Sequence, residues 1–127
     1  LDIAQKTALY FLNRLPEDYV CYWDLIFKPE DGQPRDTSAV SCAVCGLLEQ
    51  LKYMTPEDAL WQPWHNAVAQ MMRSLRENYL TKPGQDGLLL HGVYNYPRGW
   101  ASTPRTSGRY FYLEALVRLK KQWNPYW

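Results

Sequence analysis

The chain has 127 residues, enough for one compact domain, and 46% of them are hydrophobic, which argues against a disordered chain. The net charge of +1 argues against non-specific nucleic-acid binding, which needs a broad basic face, and no apolar run approaches the roughly 20 residues that span a bilayer. Six tryptophans and ten tyrosines are many for this length and indicate stacking surfaces in addition to a core.

Apolar residues at three- and four-residue spacing predict a first helix over about Asp2–Arg14, which Pro16 ends. The sequence enters this periodicity at its first residues, which indicates a segment of a longer protein. A second helix is predicted from Asp36 or Thr37, either of which can cap a first turn, to about Tyr53. It is rich in small residues, so we expect neighbouring helices to approach it closely and to bury it on most sides.

The third predicted helix starts at Thr55, a good N-cap with Pro56 in the first helical position, and continues to about Leu80. A fourth runs from about Gly108 to Trp123. Together the four helices predict an all-α fold of antiparallel helical hairpins. This pattern is compatible with part of a two-layer helical toroid and also with an independent four-helix bundle.

The lengths of the connections predict where the functional residues gather. Helices two and three are separated by only a residue or two around Met54, so they should form an antiparallel hairpin. The other two connections are long, over 15–35 and 81–107, and in an up-and-down array both lie at the same end. Because long loops in compact domains are usually functional, we expect this end to carry the binding site.

These two long connections mix aromatic rings, cations and acids, a combination that fits a carbohydrate carrying a carboxylate or a sulfate. The candidate substrate-binding residues are Trp23, Asp24, Arg35, Asp36, His91 and Tyr94. Several also have a structural interpretation: Trp23 can fill the core under its loop, and Asp36 is more often a helix cap than a catalyst. Arg35 can be only a surface charge, and His91 can be a satisfied structural histidine.

The three cysteines, Cys21, Cys42 and Cys45, are an odd number, which favours a reducing compartment, and so the cytoplasm, over a disulfide framework. Cys42 and Cys45 form a C-x-x-C pair, but a zinc site needs about four ligands and the chain has only two histidines. No glycine-rich phosphate loop or serine nucleophile elbow is present either. We therefore predict neither a metal nor a cofactor.

Six short segments, which follow one another in a consistent order, carry a family resemblance. They are Tyr22–Asp24, Pro34–Ala39, Gly46–Glu49, Ser74–Leu75 with Glu77–Tyr79, Gly87–Tyr94 and Tyr110–Leu116. Each segment alone is weak evidence, but the ordered set is specific and spans nearly the whole chain. It resembles the C-terminal third of glycoside hydrolase family 88, the unsaturated glucuronyl hydrolases.

The resemblance implies an (α/α)6 toroid, of which residues 1–127 would be a C-terminal fragment. It implies lyase-generated oligosaccharides as substrates, with a 4,5-unsaturated uronic acid at the non-reducing end. In this family an aspartic acid protonates the double bond, water adds at C5, and the resulting hemiketal opens, with no metal or organic cofactor. The two catalytic aspartates lie upstream of the matched region, so no catalytic role passes to Asp24 or Asp36, and the chain alone should be inactive.

This sequence departs from the family pattern just before the last helix. The family usually has a Gly-Asp-Tyr step there, whereas this chain has Arg109 between Gly108 and Tyr110. One hypothesis is that three nearby cations, Arg98, Arg105 and Arg109, favour a sulfated sugar.

Cutting a toroid would expose apolar sides of helices one and four, and such surfaces require a partner. We therefore expect association with the missing part of the ring or self-association, in addition to an acidic oligosaccharide. A non-catalytic sugar-binding module and a helical protein-interaction module stay open as alternative functions. No nucleic-acid or membrane partner is expected.

Overall fold

The computed structural model describes residues 2–85, 87–93, 95–98 and 106–122, without the side chains of 106 and 107. These residues form four α-helices and two short 3-10 helices, and within them no extended strand is present. The α-helices are α1 (Asp2–Leu12), α2 (Thr37–Leu51), α3 (Trp61–Asn78) and α4 (Thr106–Lys120). The predicted all-α fold is thus confirmed for the described part of the chain.

Helix α2 lies at the centre and packs against each of the other three helices. Its C-terminal part meets the start of α1, where Gln50 Nε2 donates to the carbonyl of Ala4 at 3.5 Å, so α1 and α2 are antiparallel. Helix α4 runs parallel to α2, since Gly108 packs on Ser38 and Phe111 accepts a hydrogen bond from Cys45 Sγ at 3.2 Å. This central position agrees with the small residues that α2 carries.

The start of α3 differs from the prediction. Thr55 and Asp58 form a separate turn in which the Asp58 carboxylate accepts from the Thr55 amide at 2.6 Å, and α3 begins only at Trp61. Pro63 explains the shift, because it has no N–H and is tolerated only in a first helical turn, whose amides have no intrahelical partner. The connection from α2 is therefore residues 52–60 rather than one or two residues around Met54.

The core lies between α2, α3 and α4 and extends under the first long connection. Its largest fully buried side chains come from that connection, from α2 and from α3, and they include Val20, Val40, Val44, Trp64, Met71 and Leu75. Tyr112 and Ala115 of α4 complete it. Because burial of large apolar side chains is the main stabilising contribution, this cluster fixes the arrangement of α2, α3 and α4.

Two connections meet at one end of the helices, and we call that surface the loop end. They are the first connection (residues 13–36) and the described parts of the third connection (residues 79–105). Thr37 Oγ1 donates to the carbonyl of Leu90 at 2.7 Å, and the Thr37 amide donates to the carbonyl of His91 at 3.2 Å. The prediction that the two long connections share one end is confirmed, and α2 and α3 are antiparallel because the start of α2 meets the residues that follow α3.

Candidate functional site

Asp36 joins the two connections at the loop end. It is the N-cap of α2, and its Oδ1 accepts from the amides of Ser38 at 3.0 Å and Ala39 at 3.3 Å. The same oxygen accepts from the amide of Val93, 57 positions away, at 3.3 Å. Asp36 is buried, so it supports the site from beneath as a cap and a cross-link.

Arg35 is held by groups of the first connection. Its guanidinium forms an ion pair with Asp18 at 3.1 Å, donates to the carbonyl of Val20, and lies 4.2 Å from the centre of the Tyr22 ring. These contacts occupy the guanidinium inside the protein. Arg35 therefore braces the loop end, and these contacts compete with any bound anion for its donors.

Tyr79 extends this brace to the third connection. Its hydroxyl donates to Asp18 Oδ2 at 2.8 Å, and its carbonyl accepts from the Leu90 amide at 2.8 Å. Burial, and secondly the hydrogen bond to Asp18, raise the pKa of Tyr79, so the hydroxyl stays protonated and remains a donor. The His91 ring stands edge-on to the Tyr79 ring, with 6.0 Å between the ring centres.

His91 itself is exposed and has a left-handed backbone with φ of 60°. That conformation is uncommon for a residue other than glycine and persists only where the surroundings enforce it. Here the amide of Thr37, which donates to the His91 carbonyl, and the amide of Val93, which donates to Asp36, hold the segment on both sides. The imidazole is thus presented to solvent on a fixed backbone.

Trp23 lies in an aromatic cluster that also spans the two connections. Its ring centre is 5.2 Å from that of Tyr96 and 5.3 Å from that of Phe27, and its Nε1 donates to Gln33 at 2.9 Å. The indole is half-buried, so part of its surface stays available. Rings held in this way offer an apolar surface of defined orientation, as stacking on a sugar requires.

The remaining candidates are Asp24, Tyr94 and the three arginines Arg98, Arg105 and Arg109. Asp24 accepts from the amide of Ile26 at 3.1 Å and shapes a turn in the first connection. Tyr94 and Arg105 lie outside the described residues. Arg98 is exposed at the end of the short helix Tyr96–Arg98, and Arg109 is half-buried in the first turn of α4.

Sequence reasoning missed Asp18 and Tyr79 as parts of the site. Asp18 stands in a short polar run after Pro16 and resembles any exposed loop acid, and Tyr79 reads as the end of an amphipathic helix. Their contact joins positions 61 apart, so no local spacing reveals it. The sequence singles out Arg35 as a ligand for anions and gives no signal of its ion pair with Asp18.

An apolar groove runs between α1 and α2 and reaches Trp23. Its volume is about 610 Å³, and small side chains of α2 line it, among them Ala39, Cys42, Ala43 and Gly46. Cys42 is exposed there, whereas burial, and then the nearby acids, raise the pKa of the thiols of Cys21 and Cys45 to about 12. The side of α2 that faces this groove is therefore uncovered, which corrects the expectation of burial on most sides.

Further apolar surface is uncovered on α1 and α4, as predicted for a cut toroid. Ile3 of α1 is 81% exposed, and Leu113, Leu116 and Leu119 of α4 are 41–52% exposed. Within the described residues no group of three acids, histidines or cysteines is arranged to hold a metal ion, and no helix is long and apolar enough to cross a membrane.

No family model matches the chain. Curated proteins do match it: an unsaturated chondroitin disaccharide hydrolase of Streptococcus agalactiae is 50% identical over 93% of this chain and 30% of its own length. An unsaturated glucuronyl hydrolase of a Bacillus species is 35% identical over the whole chain and 34% of its own length. The chain thus spans about a third of the length of the curated relatives it matches.

Solved structures give the same result. A crystal structure of a mutant unsaturated glucuronyl hydrolase from Streptococcus agalactiae, complexed with dGlcA-GalNAc6S, superposes with a TM-score of 0.88 at 49% identity, over 94% of this chain and 33% of that one. The unsaturated glucuronyl hydrolase of Bacillus sp. GL1, described as responsible for the degradation of glycosaminoglycan, superposes with a TM-score of 0.85 at 33% identity, over 92% of this chain and 32% of that one. The chain is therefore homologous to the unsaturated glucuronyl hydrolases and has the helical packing of about a third of their α/α toroid.

Proposed function

We propose that this chain is the C-terminal third of a hydrolase that removes 4,5-unsaturated uronic acid from lyase-generated oligosaccharides by hydration of the double bond. Relatives named unsaturated chondroitin disaccharide hydrolase and unsaturated glucuronyl hydrolase support the reaction class and the unsaturated substrate, and the loop end supports sugar binding. The observation that carries it is the joining of two distant connections, which presents the Trp23 ring and the His91 imidazole on the same end of the molecule.

The candidate residues divide into two groups under this proposal. Trp23 and His91 have available surface and would touch the sugar, Trp23 by stacking on C–H groups and His91 by donating to a hydroxyl or carboxylate. Asp24, Arg35 and Asp36 are engaged in turns, ion pairs and caps and would support that surface. Tyr94 stays a predicted ligand-contacting residue.

The missing part of the toroid would cover the groove between α1 and α2 and the apolar side of α4. Relatives about three times as long support this assignment of the partner. The upstream part would also supply the catalytic aspartates that the family resemblance implies. The three cysteines are free, which favours a reducing compartment such as the cytoplasm.

Titration of the chain with an unsaturated chondroitin disaccharide, followed by NMR, tests the proposal. We expect resonances of Trp23 and His91 to shift, and Trp23→Ala to weaken binding roughly three- to tenfold, the range for one aromatic contact. Trp61→Ala is the matched control, because Trp61 lies at the opposite end, at the start of α3. The chain alone should leave the ultraviolet absorbance of the disaccharide double bond unchanged.

Three outcomes would contradict this reading. Equal effects of the two tryptophan substitutions would remove the loop end from sugar binding. Loss of the absorbance in the presence of the chain alone would refute the fragment interpretation. No binding at all would favour a helical protein-interaction module. Titrating a sulfated disaccharide in parallel examines the proposed role of Arg98, Arg105 and Arg109, for which tighter binding of the sulfated sugar is expected.

A further inference from the structure

The Asp18 carboxylate connects the parts of the loop end that carry the two candidate sugar-binding rings, His91 and Trp23. Asp18 Oδ2 accepts from the Tyr79 hydroxyl at 2.8 Å, and Asp18 Oδ1 pairs with the Arg35 guanidinium at 3.1 Å. Tyr79 is the residue that follows α3, whereas Arg35 precedes the N-cap of α2. Asp18 therefore ties the ends of two helices through opposite oxygens of the same side chain.

Each arm of this connection ends at a candidate sugar-binding ring. On one side, the Tyr79 ring meets the His91 imidazole edge-on at 6.0 Å. On the other side, Arg35 lies 4.2 Å from the centre of the Tyr22 ring, and Tyr22 is the chain neighbour of Trp23. Asp18 is thus linked to His91 through Tyr79, and to the chain neighbour of Trp23 through Arg35.

The surroundings of Asp18 suit a fixed position. Oδ1 also accepts from the amide of Val20 at 3.3 Å, so the backbone of the first connection holds the carboxylate in place. Tyr79 and Tyr22 are buried, while the side chains of Arg35 and Asp18 are 24% and 33% exposed. Charge-assisted hydrogen bonds in such a partly buried network are directional and strong relative to neutral ones.

We propose that Asp18 is a positioning residue of the sugar-binding surface, which holds His91 through Tyr79 and Trp23 through Arg35 and Tyr22 in their binding arrangement. This inference rests on the proposed function, since it assigns Asp18 a role in the same site. In this proposal Asp18 acts through these residues and not by contact with the sugar.

Asp18→Asn and Tyr79→Phe test the arrangement with minimal change of shape. Tyr79→Phe removes the hydrogen bond to Asp18, and Asp18→Asn removes the negative charge that faces Tyr79 and Arg35. Each substitution should therefore weaken binding of the unsaturated chondroitin disaccharide to the chain about three- to tenfold in the NMR titration. Both substitutions disrupt the Asp18–Tyr79 contact, so their effects should not add. The affinity of the double variant should lie within about twofold of the affinity of whichever single variant binds more weakly. The His91 ring resonances should also move in both single variants before any sugar is added.

Asp31→Asn is the matched control, because it makes the same charge change in the same connection. The Asp31 carboxylate accepts from the Lys28 amide at 2.8 Å, outside the network of Asp18. The Asp31→Asn variant should bind the disaccharide with the affinity of the unsubstituted chain. Urea unfolding of each variant separates a loss of stability from a loss of affinity, since the titration reports only folded chain.

The outcomes separate the two proposals. Binding by the unsubstituted chain together with unchanged affinity and unchanged His91 resonances in both variants overturns the role of Asp18 and leaves the proposed function intact. Affinity that falls equally in Asp31→Asn also overturns it. No binding by the unsubstituted chain overturns the proposed function and this inference with it. If Asp18→Asn does not fold, Tyr79→Phe, which removes a single hydroxyl, decides.

Discussion

At the scale of single residues, the left-handed backbone of His91 separates stability from function. Glycine adopts a φ of 60° without strain, so His91→Gly should relieve backbone strain and raise the free energy of unfolding by about 1 kcal/mol. The loss of the ring contact with Tyr79 and the greater entropy of the unfolded chain should lower it by a similar amount. We expect the free energy of unfolding to stay within about 1 kcal/mol of its original value, whereas disaccharide affinity falls because the imidazole is gone. Urea unfolding and NMR titration measure the two quantities.

Tyr19 offers a matched control for that prediction. It has a φ of 59° and is also exposed, so Tyr19→Gly makes the same backbone change within the first connection. Its unfolding free energy should respond like that of His91→Gly. Its affinity should fall less than that of His91→Gly, because Tyr19 supplies no sugar contact in the proposal, although it lies between Asp18 and Val20 of the supporting network. If the affinity of His91→Gly equals that of the unsubstituted chain, the imidazole does not contact the sugar.

The same residues show what the sequence could predict about the site. The capping role of Asp36 was readable because its donors, Ser38 and Ala39, are two and three positions away. Its bond to Val93 and the Asp18–Tyr79 contact were not readable, because they depend on how the helices bring distant segments together. Residue type and local spacing therefore predict a candidate site where the two long connections meet, but not the proposed division between ligand-contacting and supporting side chains.

At the scale of helices, the start of α3 shows how two local signals compete. The Thr55-Pro56-Glu57-Asp58 run is typical of a helix start, and the structure uses it as a turn closed by Asp58. Pro63 would interrupt a helix that began at Pro56, whereas it is the third residue of a helix that begins at Trp61. The proline was visible in the sequence and could have placed this boundary; the all-α class and the other three helices followed from apolar spacing.

Helices α2 and α4 are joined by a network of charges at the end away from the loop end. Arg118 of α4 contacts Glu49 of α2 and lies 2.7 Å from Glu114 on its own helix. Arg118 and Glu114 are nearly buried, with side chains 7% and 3% exposed. Removing one member of such a network leaves an uncompensated charge, which is more costly than the pair itself is stabilising.

The stabilisation that the α2–α4 contact provides should depend on pH, because Glu49 titrates. Hydrogen bonds from Lys52 first and Arg118 second lower its pKa below the ordinary 4.5. A carboxylate whose pKa is lowered by folding contributes its full stabilisation above the ordinary pKa of the unfolded chain, and this contribution is lost as the pH falls through the lowered pKa of the folded state. We therefore expect the urea midpoint of unfolding to decrease as the pH is lowered from 7. Below pH 4.5 this decrease should be steeper for the unsubstituted chain than for Glu49→Gln.

The exposed acid Glu57 in the connection 52–60 provides the comparison. Glu57→Gln should keep the steep fall of the unsubstituted chain. Parallel curves for the unsubstituted chain and Glu49→Gln over this range would mean that the α2–α4 contact does not depend on the charge of Glu49.

At the scale of the whole molecule, two uncovered surfaces lie on different sides of α2. The groove beside α1 has a floor of small side chains and a volume of about 610 Å³, and α4 presents Leu113, Leu116 and Leu119. Apolar surfaces of this kind usually meet another protein surface. Because the chain spans about a third of the length of its relatives, the partner proposed for these surfaces is the remaining two thirds of the toroid.

Cys42 reports directly on whether the groove is covered. Cys42 lines the groove and is exposed, so it should react with iodoacetamide in the chain alone. The reaction should be slow, because partial burial of the thiol raises its pKa. Cys21 and Cys45 are buried and should react only on unfolding. Adding the Streptococcus agalactiae relative without its matched third should protect Cys42, because the partner seals the groove. A rate that instead falls with the concentration of the chain alone would indicate self-association. Cys42 labelled equally fast under all three conditions would mean that neither partner occupies the groove, and the ring would have to close elsewhere.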